Sequence, residues 1–290
     1  MMRLRPSARL ALWLTATLPA VACGDGSKLV LNQQAEAHKL ASRLHVEFTR
    51  AADASNRAVM ADTDDASRDA AHAAEQATQQ VERDAEALRA LADADEIALL
   101  DRFKGRFAHY RALDAEVLPL AVENTNIKAQ RLAFGPAQDA VRAFRTSIEG
   151  AGKMAAGRNR AVVDALVARA AASVLEVQVI EARHIAESDD TAMTRMEATM
   201  KVSTDAARNA LGGLKAQLPP AAGPSLAAAA ASLDQLVATN AEIVALSRRN
   251  SNVRSLALSL GRKRTVTAEC DQILQELEDA LATHHFTATR

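Results

Sequence analysis

Met193, Met196 and Met200 recur at helical spacing, with His184 just upstream across a turn. Thioethers and an imidazole so placed are ligands for Cu(I). The same spacing puts the three sulfurs on an apolar seam, where methionine is ordinary core filling, and packing is the leading reading. Asp62, Asp64 and Asp65 form an acidic cluster, but the glycine and terminal glutamate of a calcium loop are missing, so the aspartates read as helix-end residues. His284 and His285 are adjacent and do not share a helical face. No Cys-x-x-Cys-His, His-Glu-x-x-His, glycine-rich phosphate loop or Gly-x-Ser-x-Gly turn occurs. The expectation is a protein without catalytic residues, metal or cofactor.

These side chains sit in a chain with strong helical character. Residues 27–104 contain neither glycine nor proline and are rich in alanine, leucine, glutamate, glutamine and arginine. Leu40, Leu44, Phe48, Ala52 and Val59 form the apolar stripe of a first helix predicted over 28–61. Asp62 or Thr63 then caps a second helix, with Asp64 and Asp65 on its positive end. Ala70, Ala74, Ala77, Val81, Leu88 and Leu91 make its near-heptad, coiled-coil-like seam. A third helix starts near Glu96 and carries Phe103, Phe107 and Tyr110 as a core aromatic layer.

The stretch 112–135 returns at 238–261. At an offset of 126, eight positions are identical: Ala112/Ala238, Ala115/Ala241, Glu116/Glu242, Leu120/Leu246, Asn124/Asn250, Asn126/Asn252, Leu132/Leu258 and Gly135/Gly261. ADTDD at 61–65 is echoed by AESDD at 186–190 at an offset of 125, which assigns Ser188, Asp189 and Asp190 the capping role and places one extra residue further on, at LPPAAGP. Two copies of one helical module follow, 23–150 and 151–290. Asn124 is either a buried register-setting residue of a long helix or part of a turn, Asn124 to Asn126, between helices three and four, with Asn126 and Asn252 as N-caps. The turn is preferred to the continuous helix because it yields helices about 36 to 52 Å long that can pair along their lengths, and to a break at Gly135-Pro136 because the second copy has Gly261-Arg262 there, a weaker stop. The predicted fold is all-α, two tandem antiparallel up-and-down four-helix bundles, stacked end to end or side by side. Cys270, aligned with Phe144, reads as a small buried hydrophobe.

Lysine plus arginine (35) nearly equals aspartate plus glutamate (36), so no global field draws the chain to nucleic acid. Residues 1–22 have a basic start (Arg3, Arg5, Arg9), an apolar stretch from Leu10 to Leu18 and small residues, Ala20-Val21-Ala22, before Cys23. This resembles a bacterial lipoprotein signal peptide, which implies lipidation of Cys23. The residue three places before the cysteine is Ala20 where that pattern has leucine, and Ala20-x-Ala22 also suits ordinary signal peptidase and a soluble periplasmic product. Gly24, and no aspartate, follows the cysteine, which favours the outer membrane.

AEVLPLAVENTNIKAQRL at 115–132 and AEIVALSRRNSNVRSLAL at 241–258, on long up-and-down helices, resemble the four-helix-bundle sensory domain of methyl-accepting chemotaxis proteins. The resemblance implies an exported module that senses a small ligand or an envelope partner protein, with homodimer formation open. The paired arginines that hold amino-acid ligands in well-known members have no match here, and no ligand residue is carried over. The transmembrane, HAMP and cytoplasmic signalling parts of such receptors have no counterpart. A structural envelope lipoprotein or spacer is the alternative, and Cu(I) binding through the methionines a lesser one.

Overall fold

The computed structural model describes residues 24–288, with side chains from 31 to 283; residues 1–22 expected to form a signal peptide, Cys23 and the His284 and His285 side chains lie outside the described residues. The described chain is all helix and turn: α1 (Gly24–Met60), α2 (Asp64–Arg89), α3 (Ala94–Glu123), α4 (Thr125–Leu132), α5 (Gln138–Gly152), α6 (Arg160–Ala186), α7 (Asp190–Gln217), α8 (Gly223–Arg249), α9 (Ser251–Leu258) and α10 (Arg264–Ala288). Five-residue π-helical turns, Ala133–Ala137 and Ser259–Lys263, join α4 to α5 and α9 to α10. Among the described residues no helix is long and apolar enough to cross a membrane.

Local chemistry accounts for the helix starts. Thr63 is the N-cap of α2, its hydroxyl accepting from the Ala66 N–H at 3.1 Å. Asp93 opens α3 in a capping box with Glu96, and Asp189 opens α7 by accepting from Ala192 N–H. Asp64, Asp65 and Asp190 sit in first turns, where the helix dipole favours negative charge. Thr63→Ala is expected to cost about 1 kcal/mol of stability in a urea titration, the usual value of such a cap.

Two four-helix bundles form, but the two sequence copies do not fill one each. The first core joins Leu44, Phe48, Val81, Leu88, Phe103 and Tyr110 to Cys270, Leu274 and Leu277 of α10. The second joins Val163, Val174, Leu214 and Leu233 to Val141, Phe144 and Ile148 of α5. Bundle one is therefore α1, α2, α3 and α9–α10, and bundle two is α4–α5, α6, α7 and α8. The expected units 23–150 and 151–290 are copies in sequence, not in space. At Asn124 and Asn250 the chain does not turn back on itself as a hairpin; it crosses into the other bundle, so the fourth helices are exchanged.

The copies keep one register throughout. α1 and α6 end at Met60 and Ala186, α2 and α7 begin at Asp64 and Asp190, and the π turns begin at Ala133 and Ser259, all 126 apart. Buried positions match on the same spacing: Phe48/Val174, Val81/Ala207, Phe107/Leu233, Phe144/Cys270. The extra residue inferred from ADTDD and AESDD does not exist. The caps Thr63 and Asp189 are 126 apart, and the acidic runs are displaced by one residue within equivalent turns.

Candidate functional site

The chain crosses over through a pseudo-twofold knot of side chains. Asn124 and Asn250 adopt left-handed backbone (φ 51° and 53°), the only such non-glycine residues among those described. Asparagine tolerates that conformation, so one residue redirects the helix without a loop. The first N–H groups of α4 and α9 are then capped by the opposite copy. Thr125 N–H donates to Ser251 Oγ and Ser251 N–H to Thr125 Oγ1, both at 3.0 Å; Asn126 N–H and Asn252 N–H donate to each other's Oδ1 at 3.1 Å. Asn126 Nδ2 donates to Asn250 Oδ1 and Asn252 Nδ2 to Asn124 Oδ1, each at 2.8 Å. Asn126 and Asn252 thus cap across the pseudo-twofold axis and are not N-caps of their own helices. Asn124 is also fully buried, the property expected of it in a long helix.

Beyond the crossover, the π turn of bundle one carries Lys263 into the core, leaving it 2 % exposed. Its ammonium donates to Ser55 Oγ and Asp114 Oδ1, Ser55 donates to the same Asp114 oxygen at 2.6 Å, and Nζ lies 4.9 Å from the Tyr110 ring centroid. Burial holds the Lys263 pKa below the ordinary lysine range, with Asp114 opposing the shift, and burial beside Asp114 pushes the Tyr110 phenol well up. A π turn widens a helix by one residue, and such turns recur at functional sites. Gly261 (φ −91°, ψ −108°) absorbs the distortion here.

Outside this ion pair an open groove of about 570 Å³ runs between α1 and α9–α10. Phe48, Val59, Leu256 and Leu260 give it an apolar wall, and Asn56 accepts from Ser259 Oγ at 3.1 Å on its floor. Leu260 is 63 % exposed, as is its counterpart Phe134 on the other π turn. The groove is a greasy channel with amide and hydroxyl groups at its base, Asp53, Arg264 and Asp271 along it, and the Lys263–Asp114 ion pair behind them.

No family model, curated protein or solved structure matches the chain.

The other sequence candidates fall elsewhere. Met193 and Met200 are each 1 % exposed, and Met200 packs with Met196, Val177 and Ile180. His184 faces Ser247 Oγ through Nδ1 (2.7 Å) and Glu197 through Nε2 (3.0 Å), so both ring nitrogens are engaged. Among the described residues no cluster of three or more histidine, cysteine, aspartate or glutamate side chains is placed to hold a metal ion. Cys270 is buried in core one, where burial and then Glu269 push its thiol up to about 12, far from a reactive thiolate. Asp64 accepts from Asn124 and pairs with Lys128 at the crossover.

Lys263, Asp114, Ser55 and Glu181 were not among the sequence candidates. The signal available was the offset itself: position 263 is lysine where its counterpart, Ala137, is small and apolar. The exposed pairs Arg262 and Arg264 masked it by making the stretch look like a solvated basic run.

Proposed function

We propose that the protein is a non-catalytic, exported, ligand-binding protein of the sensory-bundle kind, carried on a lipidated Cys23 at the outer membrane. The observation that carries the reading is the groove beside the Ser259–Lys263 turn: it is open, apolar on its walls, polar on its floor, and built from helices of both sequence copies. A ligand in it touches α1 of one copy and α9–α10 of the other, so occupancy bears on the helix that crosses between bundles. The likeness of 115–132 and 241–258 to chemoreceptor sensory bundles supports the same class. The groove takes a small amphipathic molecule whose apolar body lies along Leu256 and Leu260 and whose hydrogen-bonding head reaches Asn56 and Ser259.

A thermal-shift screen of small amphipathic compounds tests this directly. Ala268, exposed on the groove wall, gives the control. Ala268→Trp is expected to fold normally and to lose at least tenfold in affinity for any compound that stabilises the parent. Compounds that stabilise both proteins equally, or none that stabilises the parent, would remove the groove as a binding site.

A rigid spacer is the second reading. The reciprocally capped crossover favours it, since two continuous connections joined by side-chain bonds resist bending. Insensitivity to every compound, with intact attachment of envelope partners in a pull-down, is its expected signature.

A further inference from the structure

The uniform offset of 126 lets the two bundles be compared group by group around the Lys263 cluster. Ser55, Tyr110, Asp114 and Lys263 of bundle one correspond to Glu181, Leu236, Asn240 and Ala137 of bundle two. Bundle one thus holds a carboxylate together with its own ammonium. Bundle two has a carboxyl where the serine was, and alanine where the lysine was. Glu181 has no solvent exposure, and neither of its oxygens has a hydrogen-bond partner; Asn240 Oδ1 is likewise buried and unpartnered.

We propose that bundle two is a proton-responsive module, tight when Glu181 carries a proton and loosened when it ionises, while bundle one, which contains its own cation, keeps its packing.

The physical ground is the cost of an isolated charge in an apolar interior. Ile180 of α6 and Met200 of α7 belong to a satellite core, and Ala129 of α4 and Ala133 of the π turn belong to the second core. Several charged and titratable side chains of the surrounding helices have partners of their own. On α6, His184 bonds Ser247 and Glu197, and Glu176 accepts from Ser203 of α7. Glu197 of α7 is bonded by Arg248 of α8. Lys128 of α4 reaches Glu123 and Asp64, and Asp139 of α5 pairs with Arg142. Burial alone raises the Glu181 pKa, to about 7.

The sign follows from linkage. A carboxyl whose folded pKa lies above its unfolded value binds more protons folded than unfolded between those two values. Stability is therefore greatest below the unfolded value and is lost as pH rises toward about 7. With an unfolded value of about 4.3, the opening equilibrium of bundle two rises about tenfold between pH 6 and pH 8. The proposal concerns bundle two and is independent of a ligand in the groove of bundle one.

Hydrogen exchange of the full chain at pH 6 and pH 8, normalised to intrinsic rates, tests this with an internal control. Protection in α6, α7 and α8 is expected to fall about tenfold at pH 8, with a smaller fall in α1, α2 and α3, where His45, held above its ordinary range against burial by hydrogen bonds to Asp271 and Glu278, also gives up a proton; in a His45→Gln background α1, α2 and α3 are expected to be unchanged. Glu181→Gln should abolish the fall. Ala137→Lys, which puts an ammonium where bundle one has Lys263, should abolish it too. No fall in the parent, an equal fall in both bundles, or a fall that survives Glu181→Gln would overturn the proposal. Should Ala137→Lys not fold, the Glu181→Gln comparison decides alone.

Discussion

Lys263→Leu is expected to destabilise bundle one by about 3–5 kcal/mol, the usual cost of breaking a buried charge pair by removing one partner. The lysine is 2 % and Asp114 only 7 % exposed, so water cannot replace the ammonium. What remains is a carboxylate held by the Ser55 hydroxyl alone, in a core that also contains the Tyr110 ring. The pair itself does not have to stabilise the fold by that amount, because much of the loss is the penalty on the abandoned charge. Lys263→Leu combined with Asp114→Leu is therefore expected to recover most of the loss, as packed apolar residues commonly do when they replace a whole buried pair. Urea titration followed by circular dichroism gives the global value. Tyr110, the single tyrosine of the chain, reports the site by its fluorescence. A single variant within 1 kcal/mol of the parent, or a double variant no better than the single, would mean that the lysine is solvated and the cluster energetically idle.

That cluster marks the limit of what sequence periodicity discloses. Long helices, their caps and the aromatic layer follow from spacing, and Phe48 meets Phe103 and Tyr110 edge-on at centroid distances of 5.9 and 5.3 Å as a layer of core aromatics should. The repeat likewise picks out Asn124, Asn126, Asn250 and Asn252. What repetition does not disclose is which copy each helix packs against, because an exchanged and an unexchanged fourth helix present the same seam to equivalent neighbours. The difference lies in the connection: one left-handed residue sends the helix onward, whereas a hairpin needs a loop. Lys263 and Glu181 escape for another reason. Both occupy apolar-periodic positions, and a periodic reading assigns a charged residue there to a face edge unless the paired position in the other copy is compared directly.

The crossover supplies the second large effect. Asn250→Ala is expected to cost about 2–5 kcal/mol. Alanine in the left-handed region costs about 1–2 kcal/mol. Losing the side chain also strips the Glu187 carbonyl of its donor at 2.7 Å and Asn126 Nδ2 of one of its two acceptors, and a buried polar group left unmade costs about 1–3 kcal/mol. Asn250→Gly separates these contributions, because glycine enters the left-handed region freely but makes none of the bonds; it is expected to retain the bonding loss and to escape the backbone cost. Urea titrations of both variants give the two numbers. Equal losses in the two, both below 1 kcal/mol, would show that the crossover is not held by this residue. Distant sequence positions are expected to be coupled as well: Asn126 and Asn252 cap each other's helices, so Asn126→Ala and Asn252→Ala should be non-additive. The first removal takes the acceptor from the opposite residue's N–H and leaves the reciprocal bond in place; because both bonds belong to one network, loosening it leaves the second removal less to lose. Residues 126 positions apart in the chain then behave as one structural unit, which is the physical reason for an Asn-x-Asn stretch in both copies.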